Sequence, residues 1–252
     1  MEPDQTPSQS LISHLLELRS RLLRSVAAVL LCMVALLPFA NRLYTLLAQP
    51  MMQSLPQGAS MIATGVAAPF MVPFKFAMML SVYLAMPYLL YQAWAFVAPG
   101  LYRRERVFAL PLLVSSVVLF YTGMAFAYFA VFPVIFGFFA STAPVGVLVM
   151  TDVSSYLDFA LTLFLAFGVA FEVPVVVVLL VLLGFVDVAA LRQARPYVIV
   201  GAFVVGMLLT PPDMFSQTLL AVPICLLYEV GLQVARMVAH RAAVRDAVSA
   251  AD

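Results

Sequence analysis

Apolar residues in this chain fall into six runs, each closed by charge or by proline and glycine, at approximately 25–40, 76–98, 108–136, 156–183, 196–209 and 214–235. A helix rising ~1.5 Å per residue needs about 20 apolar residues to cross a hydrocarbon core of roughly 30 Å. The runs therefore predict six transmembrane helices. The third and fourth have length to spare and would tilt or project from the bilayer. The fifth, at 14 residues, would reach only about 21 Å, and the final hairpin reads as two short spans. Either the bilayer thins around that hairpin or longer neighbours enclose it. Long spans beside short ones predict a concave single-domain body with an off-centre hollow. The expected class is an all-α integral membrane protein, with an N-terminal segment over 1–24, a six-span domain over 25–235 and a tail over 236–252.

The polar positions between the runs set the orientation. Arg19, Arg21 and Arg24 precede the first run, and Arg103, Arg104 and Arg106 lie between the second and third. Arg192 and Arg195 separate the fourth from the fifth, and Arg236, Arg241 and Arg245 follow the sixth. These 11 arginines share one side, whereas the other holds Arg42, with Lys75 at the mouth of the second run. The positive-inside rule then places both termini in the cytoplasm. The outer connections, 41–75 and 137–155, are punctuated by turn signals such as Gln49-Pro50, Leu55-Pro56-Gln57-Gly58 and Ala143-Pro144-Val145-Gly146. The last outer connection, Thr210-Pro211-Pro212-Asp213, predicts a tight hairpin in which Asp213 caps the sixth helix. On the inner side, Pro99-Gly100 stops the second helix and turns the chain.

Composition narrows the function. Hydrophobic residues make up 65% and charged residues 10% of the chain, against about 25% charged in an ordinary soluble domain. A net charge of +1 excludes a nucleic-acid binder held by a broad basic surface. The chain has no phosphate-binding G-x-x-x-x-G-K-[ST] loop, no G-x-S-x-G elbow and no H-E-x-x-H. Cys32 and Cys225 lie far apart, and His14 and His240 fall in the end segments beside no nucleophile. Neither an enzyme, a cofactor nor a metal site is expected. The remaining energy sources are the membrane potential, a proton gradient or a partner.

Three regions hold polar residues that a simple bundle does not need. On a helix over 11–24, Ser10, His14, Glu17, Arg21 and Arg24 fall within about 80° of one another, and leucines cover the rest. This is the pattern of an interfacial amphipathic helix. Glu17 either pairs with Arg21 one turn on or serves as a recognition carboxylate, and the periodicity fits both. Arg19 sits on the leucine face, where a basic residue snorkels to the headgroups or contacts something specific. Glu105 is a lone carboxylate among Arg103, Arg104 and Arg106, either locally neutralised or part of a site. Six arginines to two acids across these segments suggest, on composition alone, an anionic partner or lipid. Glu172 is placed near the membrane midplane, 13 residues after Phe159 and 11 before Leu183. A charge there costs at least ~2.5–3.5 kcal/mol, so Glu172 must face protein or water, or be protonated. The hollow beside the short fifth and sixth spans is its expected outlook. Pro174 frees a carbonyl near Ala170, and Gln217 adds polarity in the outer part of the sixth run.

Four motifs in order, His14-Leu15-Leu16-Glu17-Leu18-Arg19-Ser20-Arg21, Pro99-Gly100-Leu101-Tyr102 with Glu105, Phe167-Gly168 with Phe171-Glu172-Val173-Pro174, and Thr210-Pro211-Pro212-Asp213 with Ser216-Gln217, resemble the C subunit of the twin-arginine translocase, the TatC family. The resemblance covers the chain from about residue 11 to 236. It implies a receptor in the bacterial cytoplasmic (inner) membrane that binds twin-arginine signal peptides of folded precursor proteins. It implies that Glu17 and Glu105 receive the paired guanidiniums, with Arg19 and Arg103 shaping the site. It implies that Glu172 and Gln217 form an intramembrane polar surface for single-span subunits of the TatA and TatB types, in an oligomeric assembly driven by the proton motive force. A carboxylate accepting a bidentate guanidinium selects arginine over lysine. The competing reading is a secondary transporter or channel with Glu172 as its proton or ion site. Against it, the spans show no twofold pairing and no second intramembrane acid mirrors Glu172.

Overall fold

The computed structural model describes residues 7–54, 61–97, 109–142, 150–209 and 213–249. Among them the regular elements are all helical: α1 Pro7–Leu36, α2 Ala40–Ser54, α3 Ala68–Val97, α4 Ala109–Phe126, α5 Phe132–Ser141, α6 Val153–Ala170, α7 Val173–Leu182, α8 Val188–Gln193, α9 Arg195–Leu209 and α10 Met214–Ser249. A tight 3₁₀ turn, Leu37–Phe39, joins α1 to α2, and a wide π turn, Ala127–Val131, joins α4 to α5. The π turn directly precedes Pro133, at the start of α5, whose missing N–H cannot continue a regular ladder.

Five stretches are long and apolar enough to cross a membrane: His14–Gln49, Ala68–Phe96, Leu110–Phe139, Val153–Leu182 and Met214–His240. The shorter apolar helix α9 makes the sixth, with 15 residues. The six-span expectation holds, with two corrections. Of the final hairpin only α9 is short, because α10 carries its apolar stretch for 27 residues and continues past Arg236. An arginine on a helix can keep its stem in the apolar zone and raise its head to water, so Arg236 closes neither the helix nor the span. The connection over 41–75 is also not simply turns, since α2 runs through the Gln49-Pro50 signal. Its helix is written in Ala40, Leu43, Tyr44, Leu47 and Ala48, an i, i+3, i+4, i+7, i+8 stripe that packs on α3 and α5.

The fourth span is two helices. Pro174 returns no N–H to Ala170, so the ladder breaks at Phe171 and Glu172, where the Glu172 N–H bonds the Val169 carbonyl at 3.0 Å. The break separates two cores. One joins α2 to α6 around Tyr83, Phe120, Phe132, Leu157 and Phe167. The other joins α7, α8 and α10 around Val178, Leu191, Tyr228 and Leu232. Between α6 and α9 lies the expected hollow, an apolar groove of about 950 Å³ with the Lys75–Asp158 ion pair among its lining.

The face opposite the arginine-rich ends is fastened by Asp152, the N-cap of α6. Its carboxylate accepts from the Ser155 N–H at 3.0 Å and from the Thr64 hydroxyl and N–H at 2.8 and 3.1 Å. Those bonds, the Ser155 amide first, hold the Asp152 carboxyl down at about 2. A bridge between Ile62 and Asp152 completes the latch. At the other cap, Asp213 accepts the Ser216 N–H at 2.6 Å, as expected for the sixth helix.

Glycine sets the closest helix approach. An added Cβ on Gly123 of α4 would collide with the Phe167 carbonyl of α6, and one on Gly168 of α6 would sit 2.6 Å from the Phe120 ring of α4. The contact is reciprocal, a small residue on each helix admitting the other. Gly123→Ala and Gly168→Ala should each lower thermal stability by about 1–3 kcal/mol through overpacking. Gly137→Ala, which meets nothing within 4 Å, should leave it unchanged or raise it. Heating the detergent-purified variants and scoring aggregation checks this, and a Gly123→Ala variant as stable as the parent would rule the close approach unnecessary.

Candidate functional site

α1 is one helix from the amphipathic segment into the first span, so its polar stripe is carried rigidly against α3. Arg21 makes that contact. Its Nη2 and Nε donate to Glu17 Oε1 at 2.6 and 3.0 Å, Nη1 donates to Gln92 Oε1 at 3.1 Å, and Nη2 also reaches the Ala95 carbonyl at 3.1 Å. Gln92 in turn donates to the Tyr88 hydroxyl at 2.7 Å. His14 stacks on Phe96 with ring centroids 4.2 Å apart. The guanidinium thus closes a network across two helices, with Gln92 buried beneath it.

Of the two readings for Glu17, the structure shows the pairing with Arg21. Both bonds fall on Oε1, however, and the Glu17 side chain is 39% exposed. A second oxygen remains for another cation. Arg19 is exposed and makes no hydrogen bond to other described residues, as befits a snorkelling residue or one awaiting a ligand. Glu105, Arg103, Pro99, Gly100 and Pro211 lie outside the described residues. The periodicity did not single out Gln92 and Tyr88, although two polar side chains one turn apart in an apolar run are a readable signal of a contact.

Contrary to expectation, Glu172 does not face the hollow beside α9. It lines a separate cavity of about 250 Å³ with Leu90, Trp94, Ser116 and Leu179, between α3, α4 and α7. Glu172 sits at the joint between α6 and α7, bonded to Val169 instead of in regular register, so counting residues along one ideal helix does not fix where its side chain points. Ser116 shares that cavity with the carboxyl, and Trp94 Nε1 donates to Ser116 Oγ at 3.3 Å. Oε1 is buried with no hydrogen-bond partner. In a low-dielectric site such an oxygen carries the full desolvation penalty of an unmade bond.

Gln217 sits elsewhere. Its Nε2 donates to the Phe203 carbonyl at 2.8 Å, tying α10 to α9, so the pair expected to share one surface is divided between two. Among the described residues no group of three His, Cys, Asp or Glu could hold a metal ion.

The family model for "Sec-independent protein translocase protein (TatC)" matches residues 13–223. The protein of that name from Azotobacter chroococcum mcd 1 is 62% identical over 239 residues, 95% of this chain and 94% of that one. The one from Escherichia coli (strain K12) is 58% identical over 225 residues, 89% of this chain and 87% of that one. A crystal structure of a twin arginine translocase receptor, TatC, aligns with a TM-score of 0.80 at 35% identity, over 89% of this chain and 98% of that one. With its apolar helical spans and these matches, the chain is a multi-pass membrane protein that belongs to the TatC family of Sec-independent protein translocase proteins.

Proposed function

We propose that this translocase subunit is the receptor that binds twin-arginine signal peptides of folded precursors at its cytoplasmic face. It then docks single-span subunits of the TatA and TatB types in the bacterial inner membrane for proton-motive-force-driven export. The observation that carries the reading is the half-engaged Glu17: a carboxylate fixed by Arg21, which Gln92 holds in turn, with one oxygen committed and the side chain still 39% exposed. A preorganised acceptor loses little entropy on meeting a second guanidinium. Glu17 lies beside the last turn of α3, from which the chain continues directly towards Glu105. Two carboxylates suit two adjacent arginines, with Arg19 and Arg103 holding the peptide's register by repulsion. A peptide with paired arginines, rather than an anion, fits this geometry despite the local excess of arginine.

Charge reversal tests the site. Glu17→Lys and Glu105→Lys should each weaken a twin-arginine peptide by about 2 kcal/mol or more, the lower range for an interface charge pair. Peptide titration against purified protein reads this, and native affinity in both variants would remove the assignment. Arg19→Leu separates its two roles, because unchanged peptide affinity would leave Arg19 as a membrane anchor.

The same reading requires both termini inside. Reporter fusions after Arg106, Arg195 and Arg245 should report cytoplasm and one at Ala59 the outside; one clear reversal is fatal to the topology.

For Glu172 the proposed role is a hydrogen bond between its unpartnered Oε1 and a polar group of a single-span subunit, with Gln217 a second contact on the α9–α10 hairpin. Glu172→Gln keeps a polar head for Ser116 and should retain most partner co-purification and export. Glu172→Ala should keep peptide binding and lose partner docking, because the partner's polar group is left unmatched. Equal loss of export in both variants with docking intact would point instead to proton relay.

A further inference from the structure

Away from the α1–α3 contact, three arginines from three helices converge on one small cavity. Arg192 ends α8, Arg195 opens α9 and Arg236 lies on α10, and with Glu229, Leu232 and Gln233 they line a space of about 300 Å³. Glu229 is the only acid in that lining, and Arg195 takes it completely. Nε meets Oε1 at 2.6 Å while Nη2 meets Oε2 at 2.7 Å, a bidentate fork. Arg192 and Arg236 make no ion pair with another described residue. The cavity therefore carries two guanidiniums with no counter-charge from the described part of the chain.

The support beneath is rigid. Leu191 and Leu232 are buried, and the Tyr228 hydroxyl donates to the Leu191 carbonyl at 2.7 Å, pinning α8 to α10. Such a pocket attracts an anion, and its surroundings say which kind. On α10, Leu226, Val230, Gln233 and Met237 follow an i, i+4, i+7, i+11 spacing along one exposed face. Gln233 lines the cavity, whereas Leu226 and Val230 lead from it along the apolar span. Tyr197, two residues after Arg195 near the start of α9, is exposed, as an aromatic side chain at headgroup level would be. A bare anion needs no apolar track. A lipid does.

We propose that the Arg192–Arg195–Arg236 cavity binds the phosphate of an anionic phospholipid from the leaflet on the arginine-rich side, with an acyl chain laid along Leu226 and Val230. Arg192 and Arg236 hold the phosphate. Arg195, committed to Glu229, shapes the wall. A zwitterionic lipid is disfavoured because its ammonium would be brought among guanidiniums.

The experiment uses the full chain in detergent, mixed with equal amounts of dioleoyl phosphatidylglycerol and dioleoyl phosphatidylcholine, with bound lipid read by native mass spectrometry. The parent should prefer phosphatidylglycerol by about 30-fold, the factor expected of two guanidiniums acting on one headgroup. The double variant Arg192→Gln/Arg236→Gln should lose that preference. Arg42→Gln, a loss of positive charge at the far end of the bundle, should keep it. If the double variant does not fold, each single variant should show a partial loss. No preference in the parent, a preference that survives in folded double or single variants, or equal loss in Arg42→Gln would overturn the proposal. Displacement of phosphatidylglycerol by inorganic phosphate as readily as by more lipid would overturn it too, and reassign the pocket to a water-borne anion.

Discussion

In a bilayer, apolar burial does not press one helix onto another, because lipid is as apolar as leucine. What holds this bundle together must be closer or more polar than its surroundings, and the molecule uses both means. Gly123 and Gly168 let α4 and α6 approach until ring meets backbone. Gly231 brings α10 so near α7 that an added Cβ would lie 2.8 Å from the Pro174 Cα. Tyrosine hydroxyls supply the polar part. Tyr83 donates to Leu161, Tyr121 to Tyr83, Tyr156 to Leu47 and Tyr228 to Leu191, each to a main-chain carbonyl of another helix. A helical carbonyl keeps a second lone pair after its own ladder bond, so these clasps leave the ladders intact.

The α1–α3 contact follows the same logic with charge added. Arg21 can lie against an apolar helix because Glu17, Gln92 and the Ala95 carbonyl together satisfy its donors. Its position is therefore dictated by α3 as much as by α1. The carboxylate it holds inherits that fixity, which an interfacial helix alone would not supply.

Much of this was legible in the chain. Runs bounded by charge identify six spans, the short apolar stretch between Arg195 and Thr210 marks α9, and Pro174 announces the broken ladder. Asp213 declares itself as a cap by standing just before the last run. α2 was hidden because Gln49-Pro50 and the turn-forming residues after it outweigh a short amphipathic stripe whose apolar side meets other helices instead of lipid. The direction of Glu172 was hidden for another reason. Around it nearly every residue is apolar, so no periodicity distinguishes the side facing Ser116 from the side facing α9. Glu17 lay between: its spacing from Arg21 proposed the pair, but Gln92, 71 residues from Arg21 along the chain, is what makes that pair a junction.

The broken fourth span also has a mechanical meaning. α6 is keyed to α4 by the reciprocal glycines, and α7 to α10 by Gly231. Each half of one span is thus bolted to a different core, and the joint between them is Phe171-Glu172, where the ladder is thinned: Glu172 bonds Val169 one residue short of the regular register and Pro174 gives no bond at all. A stretch of helix with fewer ladder bonds bends more easily than its flanks, so a load on the α7–α10 body would be taken up first at this joint, and Glu172, on the joint itself, would move with it.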